Sequence, residues 1–152
     1  MFRENIPLAP YTTFRIGGPA RYFFECKSID DVKEAAQFAR DKNVPTFILG
    51  GGSNILVKDE GFSGVVILVD LKGFKIQGDL VEAGAGEEWD SFVEKTVSEG
   101  LYGLENLSAI PGKVGAAPIQ NIGAYGAEVS SFIHSVVCFD IKNFYEKIFI
   151  NK

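Results

Sequence analysis

A chain of 152 residues, 46% of them apolar, has material for one domain or two small lobes with real cores, which argues against disorder. Its net charge of -5 excludes a basic nucleic-acid surface. An anionic nucleotide ligand stays open, because N–H groups of loops and helix starts hold phosphates without lysines.

The N-terminus lacks the apolar run of a signal peptide, and no stretch is long enough to cross a bilayer, so a soluble cytoplasmic protein is expected. Residues 6–19 show little periodicity, contain Pro7, Pro10, Gly17, Gly18 and Pro19, and read as an ordered arm or loop. Residues 21–26 are aromatic-rich and read as a strand. Ser28 with Asp31 resembles a capping box, and Val32, Ala35, Ala36 and Ala39 follow on one helical face. Lys42-Asn43 and Pro45 close that helix. Residues 46–49 form a short buried strand, and a right-handed crossover makes the two strands parallel. Residues 65–69 are a third β-type run. Residues 74–77 and 80–83 flank Gly78-Asp79, a two-residue hairpin signal. Trp89, Phe92, Val93, Thr96 and Val97 mark a second amphipathic helix, stopped by Gly100. Residues 101–126 are dense in Gly, Ala and Pro, and residues 135–139 and 147–150 read as strands. A break near residues 70–73 gives a βαββ-like lobe 1–70 and a second lobe 71–152. The sequence stops directly after an apolar run, which reads as a cut end.

His134 is the only histidine, which leaves no basis for a zinc site or a Ser-His-Asp triad. Cys26 and Cys138 have no CxxC partner and read as reduced, buried thiols. Two loops carry candidate chemistry. In Gly50-Gly51-Gly52-Ser53-Asn54-Ile55, three glycines after a strand let backbone approach a ligand, and Ser53 and Asn54 add donors. That suits a pyrophosphate, although the run is neither a P-loop nor a G-x-G-x-x-G fingerprint; a plain Gly-rich turn accounts for it equally well. In residues 103–126, the small residues from Gly112 to Ala117 suit a flat aromatic ring, and Pro111-Gly112 suits a tight turn. Gln120 and Asn121 donate and accept, and Tyr125 projects between small neighbours. Tight packing with ordinary turns is the alternative there. Arg15 reads as a phosphate partner or, more simply, as a surface arginine. Glu87, Glu88 and Asp90 read as charge at a helix start, and Lys113 as a lone exposed lysine.

The motifs Thr12-Thr13-Phe14-Arg15-Ile16-Gly17-Gly18, Leu49-Gly50-Gly51-Gly52-Ser53-Asn54, Gly103-Leu104-Glu105-Asn106-Leu107, Ile110-Pro111-Gly112 and Gln120-Asn121-Ile122-Gly123-Ala124-Tyr125-Gly126 occur in that order. Together they resemble the UDP-N-acetylenolpyruvoylglucosamine reductases over nearly the whole chain. The resemblance implies an α+β fold: a two-lobed FAD-binding domain of the vanillyl-alcohol-oxidase / p-cresol methylhydroxylase type, C-terminally incomplete and without the family's substrate-binding domain. It implies that Gly50, Gly51, Gly52, Ser53, Asn54 and Ile55 wrap the FAD pyrophosphate. It implies that Ile110, Pro111, Gly112, Val114, Gly115, Ala116 and Ala117 line the flavin, helped by Gln120, Asn121 and Gly123, and that Tyr125 faces the UDP-sugar.

The family's reaction uses NADPH to reduce FAD, and the reduced flavin converts UDP-N-acetylglucosamine enolpyruvate to UDP-N-acetylmuramate. That step serves peptidoglycan synthesis and hence cell-wall biogenesis, cell shape and division. No metal, nucleic acid, membrane or obligate protein partner is implied. The family's catalytic arginine, serine and glutamate have no counterpart here, and Ser53, Ser108 and Glu105 do not fill those roles. The chain alone is therefore expected to be inactive and, with a sheet edge left open, to hold FAD weakly. Lys113 stands where the family carries a small or hydroxylated residue. The competing readings are another FAD-linked oxidase or dehydrogenase of the same fold, which the run of residues 120–126 speaks against, and a non-catalytic truncated remnant.

Overall fold

The computed structural model describes residues 1–151 and divides into two compact units. The first is Met1–Leu71 with Ile141–Phe144; the second is Lys72–Asp140 with the segment from Tyr145 onward.

The first unit is built on strands β1 (Phe2–Pro7), β2 (Pro19–Cys26), β3 (Thr46–Leu49) and β4 (Phe62–Val69), with helix α1 (Ile29–Asp41) between β2 and β3. The sheet order is β1-β2-β4-β3. The expected strand–helix–strand unit forms, and its strands are parallel, but they are not neighbours, because β4 lies between them and pairs with both. Burial explains the order. Gly64, Val65, Val66 and Ile67 are all buried, as a central strand covered on both faces requires. Ile48 on β3 is exposed, as suits an edge.

β1 corrects the reading of residues 6–19 as arm throughout, since Ile6 and Pro7 belong to a strand antiparallel to β2. Only Arg3 and Ile6 of β1 are even half-buried, so this edge strand has no clean apolar alternation for sequence reasoning to find. The first lobe thus carries one strand more at its start than a βαββ pattern.

Helix α1 starts on a complete capping box. The Ser28 hydroxyl accepts from the Asp31 N–H at 3.1 Å, and the Asp31 carboxylate accepts from the Ser28 and Lys27 N–H groups at 2.8 and 2.9 Å. The Ser28 side chain first, then the Lys27 N–H, hold the Asp31 carboxyl below the usual carboxylate range. Val32, Ala35, Ala36 and Ala39 are buried, and their small size lets the helix lie close on β2 and β4. Phe38 joins Phe2, Tyr22 and Phe24 in a cluster of tilted and edge-on rings. Phe23 points to the opposite face, as strand alternation demands, and packs with Leu8, Leu49, Val66, Tyr11, Ile55 and Val57. The arm and the segment after the triple glycine are therefore the cover of that face.

Cys26 is fully buried, and burial, then the Asp31 carboxylate, pushes its thiol up to about 11. Cys138 is exposed, which corrects its reading as a buried thiol. It lies on a two-stranded ribbon that leaves both faces open, since its neighbour Val137, pointing the other way, is exposed too. A thiol reagent near neutral pH is expected to modify Cys138 quickly and Cys26 only after denaturation. Equal labelling rates in the native protein would contradict this burial pattern.

The second unit holds the hairpin β5 (Phe74–Gln77) and β6 (Leu80–Ala83), helix α2 (Trp89–Ser98), and short 3-10 turns at Glu105–Leu107, Val114–Ala116 and Val129–Ser131. Two further hairpins follow, β7 (Gly123–Ala124) with β8 (Ala127–Glu128) and β9 (Ser135–Asp140) with β10 (Tyr145–Ile150). The β5–β6 loop is Gly78-Asp79, with Gly78 at φ +60°. Trp89, Val93, Leu107, Ala117, Ile122 and Val129 form the buried core, ringed by Phe92, Leu104, Ile110 and Val114. α2 thus presents one face to the Gly- and Ala-rich segment and fixes its course.

Candidate functional site

In the first unit the arm and the triple-glycine loop form one surface. Pro10 opens a 3-10 turn over Ala9–Tyr11. Thr12 is buried, and its hydroxyl donor is shared between the carbonyls of Ile16 at 2.9 Å and Ala9 at 3.2 Å, which folds residues 12–16 back on themselves. Arg15 sits at the tip, exposed, at φ +57°. The Thr13 N–H donates to the Gly52 carbonyl at 3.1 Å, and the Gly18 N–H donates to the Lys58 carbonyl at 2.8 Å. The arm is thus fastened to both ends of the segment from Gly52 to Lys58.

Gly52 has φ +67°, and a Cβ there would lie 2.0 Å from the Tyr11 carbonyl oxygen. Its lack of a side chain is needed by the arm, not only by a ligand. In a trans peptide the C=O and the following N–H point oppositely, so a Gly52 carbonyl turned to Thr13 directs the Ser53 N–H away from the arm. Gly50, Gly51, Ser53 and Ile55 are half-buried, Gly52 is buried and Asn54 is exposed. The loop therefore offers side-chain-free backbone at the surface, which fits a diphosphate.

In the second unit, four consecutive residues at the start of α2 hold the segment from Leu107 to Val114. The Trp89 indole N–H donates to the Leu107 carbonyl at 2.7 Å, and the Trp89 backbone N–H donates to the Gly112 carbonyl at 3.0 Å. The Val114 N–H donates to the Glu87 carbonyl at 2.9 Å. Asp90 accepts from the Ser108 hydroxyl and the Ala109 N–H, both at 2.6 Å. The Ser108 hydroxyl, then the Ala109 N–H, hold the Asp90 carboxyl below its ordinary range. Ala109 takes the left-handed conformation, φ +60°.

Two readings of this region need correction. Lys113 is not a lone exposed lysine: its side chain is mostly covered and its ammonium pairs with the Glu88 carboxylate. Glu87, Glu88 and Asp90 do more than place charge at a helix start. Glu88 is the N-cap without a capping side-chain bond, Glu87 accepts from the Gly73 N–H at 2.8 Å, and Asp90 holds the 108–109 turn. These bonds span 14 to 25 residues, which is why sequence spacing did not reveal them.

The small-residue segment lies where these bonds put it. Gly112, Val114, Gly115 and Ala116 are half-buried, Ile110 is half-buried, Pro111 is exposed, and Ala117 is buried in the core beneath them. A Cβ on Gly115 would meet the Ala85 Cβ at 2.6 Å, so close packing on the 84–87 turn requires this glycine. Tyr125 and Gly126, at φ +52° and +81°, make the type I′ turn of the β7–β8 hairpin, and Tyr125 is 91% exposed. Gln120 and Asn121 are both exposed, and the Asn121 amide donates to Glu128 at 2.8 Å and accepts from the Ser130 N–H at 3.1 Å. Asn121, Gly123, Ala124, Gly126 and Ser131 line an open depression beside this hairpin. The roles that sequence reasoning missed are those of Thr12, whose hydroxyl folds the arm through Ala9 and Ile16, and of Ala85 and Asp90, whose contacts with Gly115 and with Ser108 and Ala109 join residues far apart in the chain.

Residues 20–141 match the family described as FAD binding domain. The chain belongs to this FAD-binding domain family. The domain is 47% identical to the UDP-N-acetylenolpyruvoylglucosamine reductase of Streptomyces avermitilis, over 91% of its own length and 38% of that protein. It is 44% identical to the same-named protein of Ralstonia nicotianae, over 90% of its length and 42% of that protein. The crystal structure of UDP-N-acetylenolpyruvylglucosamine reductase from Thermus caldophilus superposes with a TM-score of 0.77 at 32% identity, covering 99% of this chain and 53% of that one. The chain thus spans well under half the length of the curated relatives it matches. The resemblance and the mixed α and β FAD-binding fold expected from sequence are both borne out. Among the described residues no helix is long and apolar enough to cross a membrane, and no group of His, Cys, Asp and Glu suits a metal ion.

Proposed function

We propose that this FAD-binding domain holds FAD for the reduction of UDP-N-acetylglucosamine enolpyruvate to UDP-N-acetylmuramate, with NADPH as the hydride donor, in peptidoglycan precursor synthesis in the cytoplasm. The observation that carries the reading is the bare, arm-supported backbone of Gly50 to Ile55 together with the family match over residues 20–141.

FAD, when bound, supplies the hydride-transfer chemistry. The chain's own part is to bind and orient. Backbone N–H groups of the triple-glycine loop, with Ser53 and Asn54, hold the diphosphate without any cluster of lysines, in keeping with the acidic net charge. Ile110, Pro111, Gly112, Val114, Gly115 and Ala116 offer a surface low enough for a flat ring, with Ala117 supporting it from below. Gln120, Asn121 and Gly123 take its polar edge, and Tyr125 on its tight turn extends a phenol toward the sugar nucleotide. With 38–42% of its relatives' length, the chain by itself is read as a cofactor-binding part that does not turn over.

Titration of the purified chain with FAD tests this. Saturable quenching of flavin fluorescence is expected, with no NADPH oxidation in the presence of the enolpyruvyl UDP-sugar. FAD that stays fully fluorescent and dialyses away would overturn the cofactor reading and leave an inert remnant.

A further inference from the structure

The carboxylate of Asp90 receives two short bonds from a turn 18 and 19 residues away, and that turn contains Ala109 in a backbone conformation that alanine rarely adopts. Nothing about the helix start requires either bond. α2 already closes its first turn through Phe92 N–H to Glu88 O at 2.9 Å. We infer that Asp90 is a positioning residue that holds the 107–112 turn and thereby sets the small-residue segment beyond it; the inference rests on the flavin-binding reading above and deepens it.

Three neighbouring contacts converge on the same segment. Trp89 binds both of its ends, through Leu107 and Gly112, and Glu88 holds Lys113. Asp90 is the member that reaches the middle, where Ala109 must stay left-handed for the chain to double back between Leu107 and Gly112. A carboxylate accepts such bonds more strongly than a neutral oxygen does. Its bonds to Ser108 and Ala109 favour the ionised form, in agreement with this role.

The competing role for Asp90 is plain negative charge near a helix N-terminus. The two roles separate cleanly by substitution. Asp90→Asn removes the charge and keeps an oxygen that accepts from Ser108 and Ala109. Asp90→Ala removes both. A charge role predicts equal losses in the two variants; a positioning role predicts a loss in Asp90→Ala that Asp90→Asn largely restores.

The experiment uses the whole 152-residue chain with two readouts. Trp89 is the only tryptophan, so its indole N–H gives one unambiguous signal in a proton–nitrogen spectrum recorded without FAD. That signal is expected to leave its hydrogen-bonded position in Asp90→Ala and to keep it in Asp90→Asn. In the second readout, the FAD dissociation constant rises about tenfold in Asp90→Ala and stays within about threefold of wild type in Asp90→Asn. Ser108→Ala, which removes one of the two bonds, shifts both readouts in the same direction by less, and serves if Asp90→Ala fails to fold. An unmoved indole signal in Asp90→Ala, equal losses in the two Asp90 variants, or FAD affinity unchanged in both would each overturn the inference. Wild-type chain that takes up no FAD would instead sink the cofactor reading and the flavin half of this one, while the indole signal still decides whether Asp90 orders the turn.

Discussion

Gly52→Ala is expected to abolish FAD binding and to cost about 2–4 kcal/mol of stability. Two effects add. The residue sits at φ +67°, where any L side chain is strained, and its new Cβ would stand 2.0 Å from the Tyr11 carbonyl oxygen and 3.0 Å from the Thr12 Cα. Both obstacles are backbone, so no side-chain rotation relieves the clash. The arm must lift, and with it go the Thr13 bond to Gly52 and the cover that Leu8 and Tyr11 give to Phe23 and Val66. Gly126→Ala is the control: φ is +81° there but open space surrounds it, so only the backbone cost of about 1 kcal/mol remains. Urea denaturation followed by circular dichroism, with an FAD titration of each variant, measures the difference. A Gly52→Ala protein with the wild-type midpoint and wild-type FAD affinity would show that the arm does not lie on this loop.

Trp89→Ala is expected to destabilise the second unit by about 3–5 kcal/mol, the range for emptying a large buried aromatic site. Trp89 is 3% exposed at the centre of the core, touching the Val93, Leu107 and Ala117 group, and its ring lies 5.5 Å from that of Phe92. Its indole N–H is also the partner of the Leu107 carbonyl, and Leu107 is fully buried. Trp89→Phe keeps most of the volume and loses the donor, so a smaller cost of about 1–3 kcal/mol follows from the carbonyl left without a partner. The order Ala worse than Phe worse than wild type in urea midpoints checks the argument. Equal midpoints for Phe and wild type would remove the indole bond from the account of how the segment is held.

Much of this was legible in the residues. Ser28 and Asp31 announced the start of α1, and the box forms with both reciprocal bonds. Gly78-Asp79 announced a hairpin and makes one. The alanine face of α1 and the Trp89–Val93 face of α2 are buried as their spacing required. These are local signals: a cap, a turn conformation or a helical period involves residues a few positions apart. The edge strand β1 left no such trace, since both its faces are largely exposed and its partner is β2, which pairs Phe2 with Phe24 across 22 positions. The exposure of Cys138 was hidden for a related reason: an isolated ribbon does not bury either face as a packed strand would.

The resemblance carried by the ordered motifs identified the family and the mixed fold, while helical periodicity, caps and local composition marked both helices and the loops poor in side chains. Packing between distant elements settles that β4 separates β2 from β3, that Gly52 and Gly115 are required by neighbouring backbone and by Ala85, and that Asp90 and Lys113 are tied into the small-residue segment. Each of those depends on a contact between residues far apart in the chain. Which distant partner a carboxylate or a glycine meets is set by how whole elements pack, and no short run of residues encodes it.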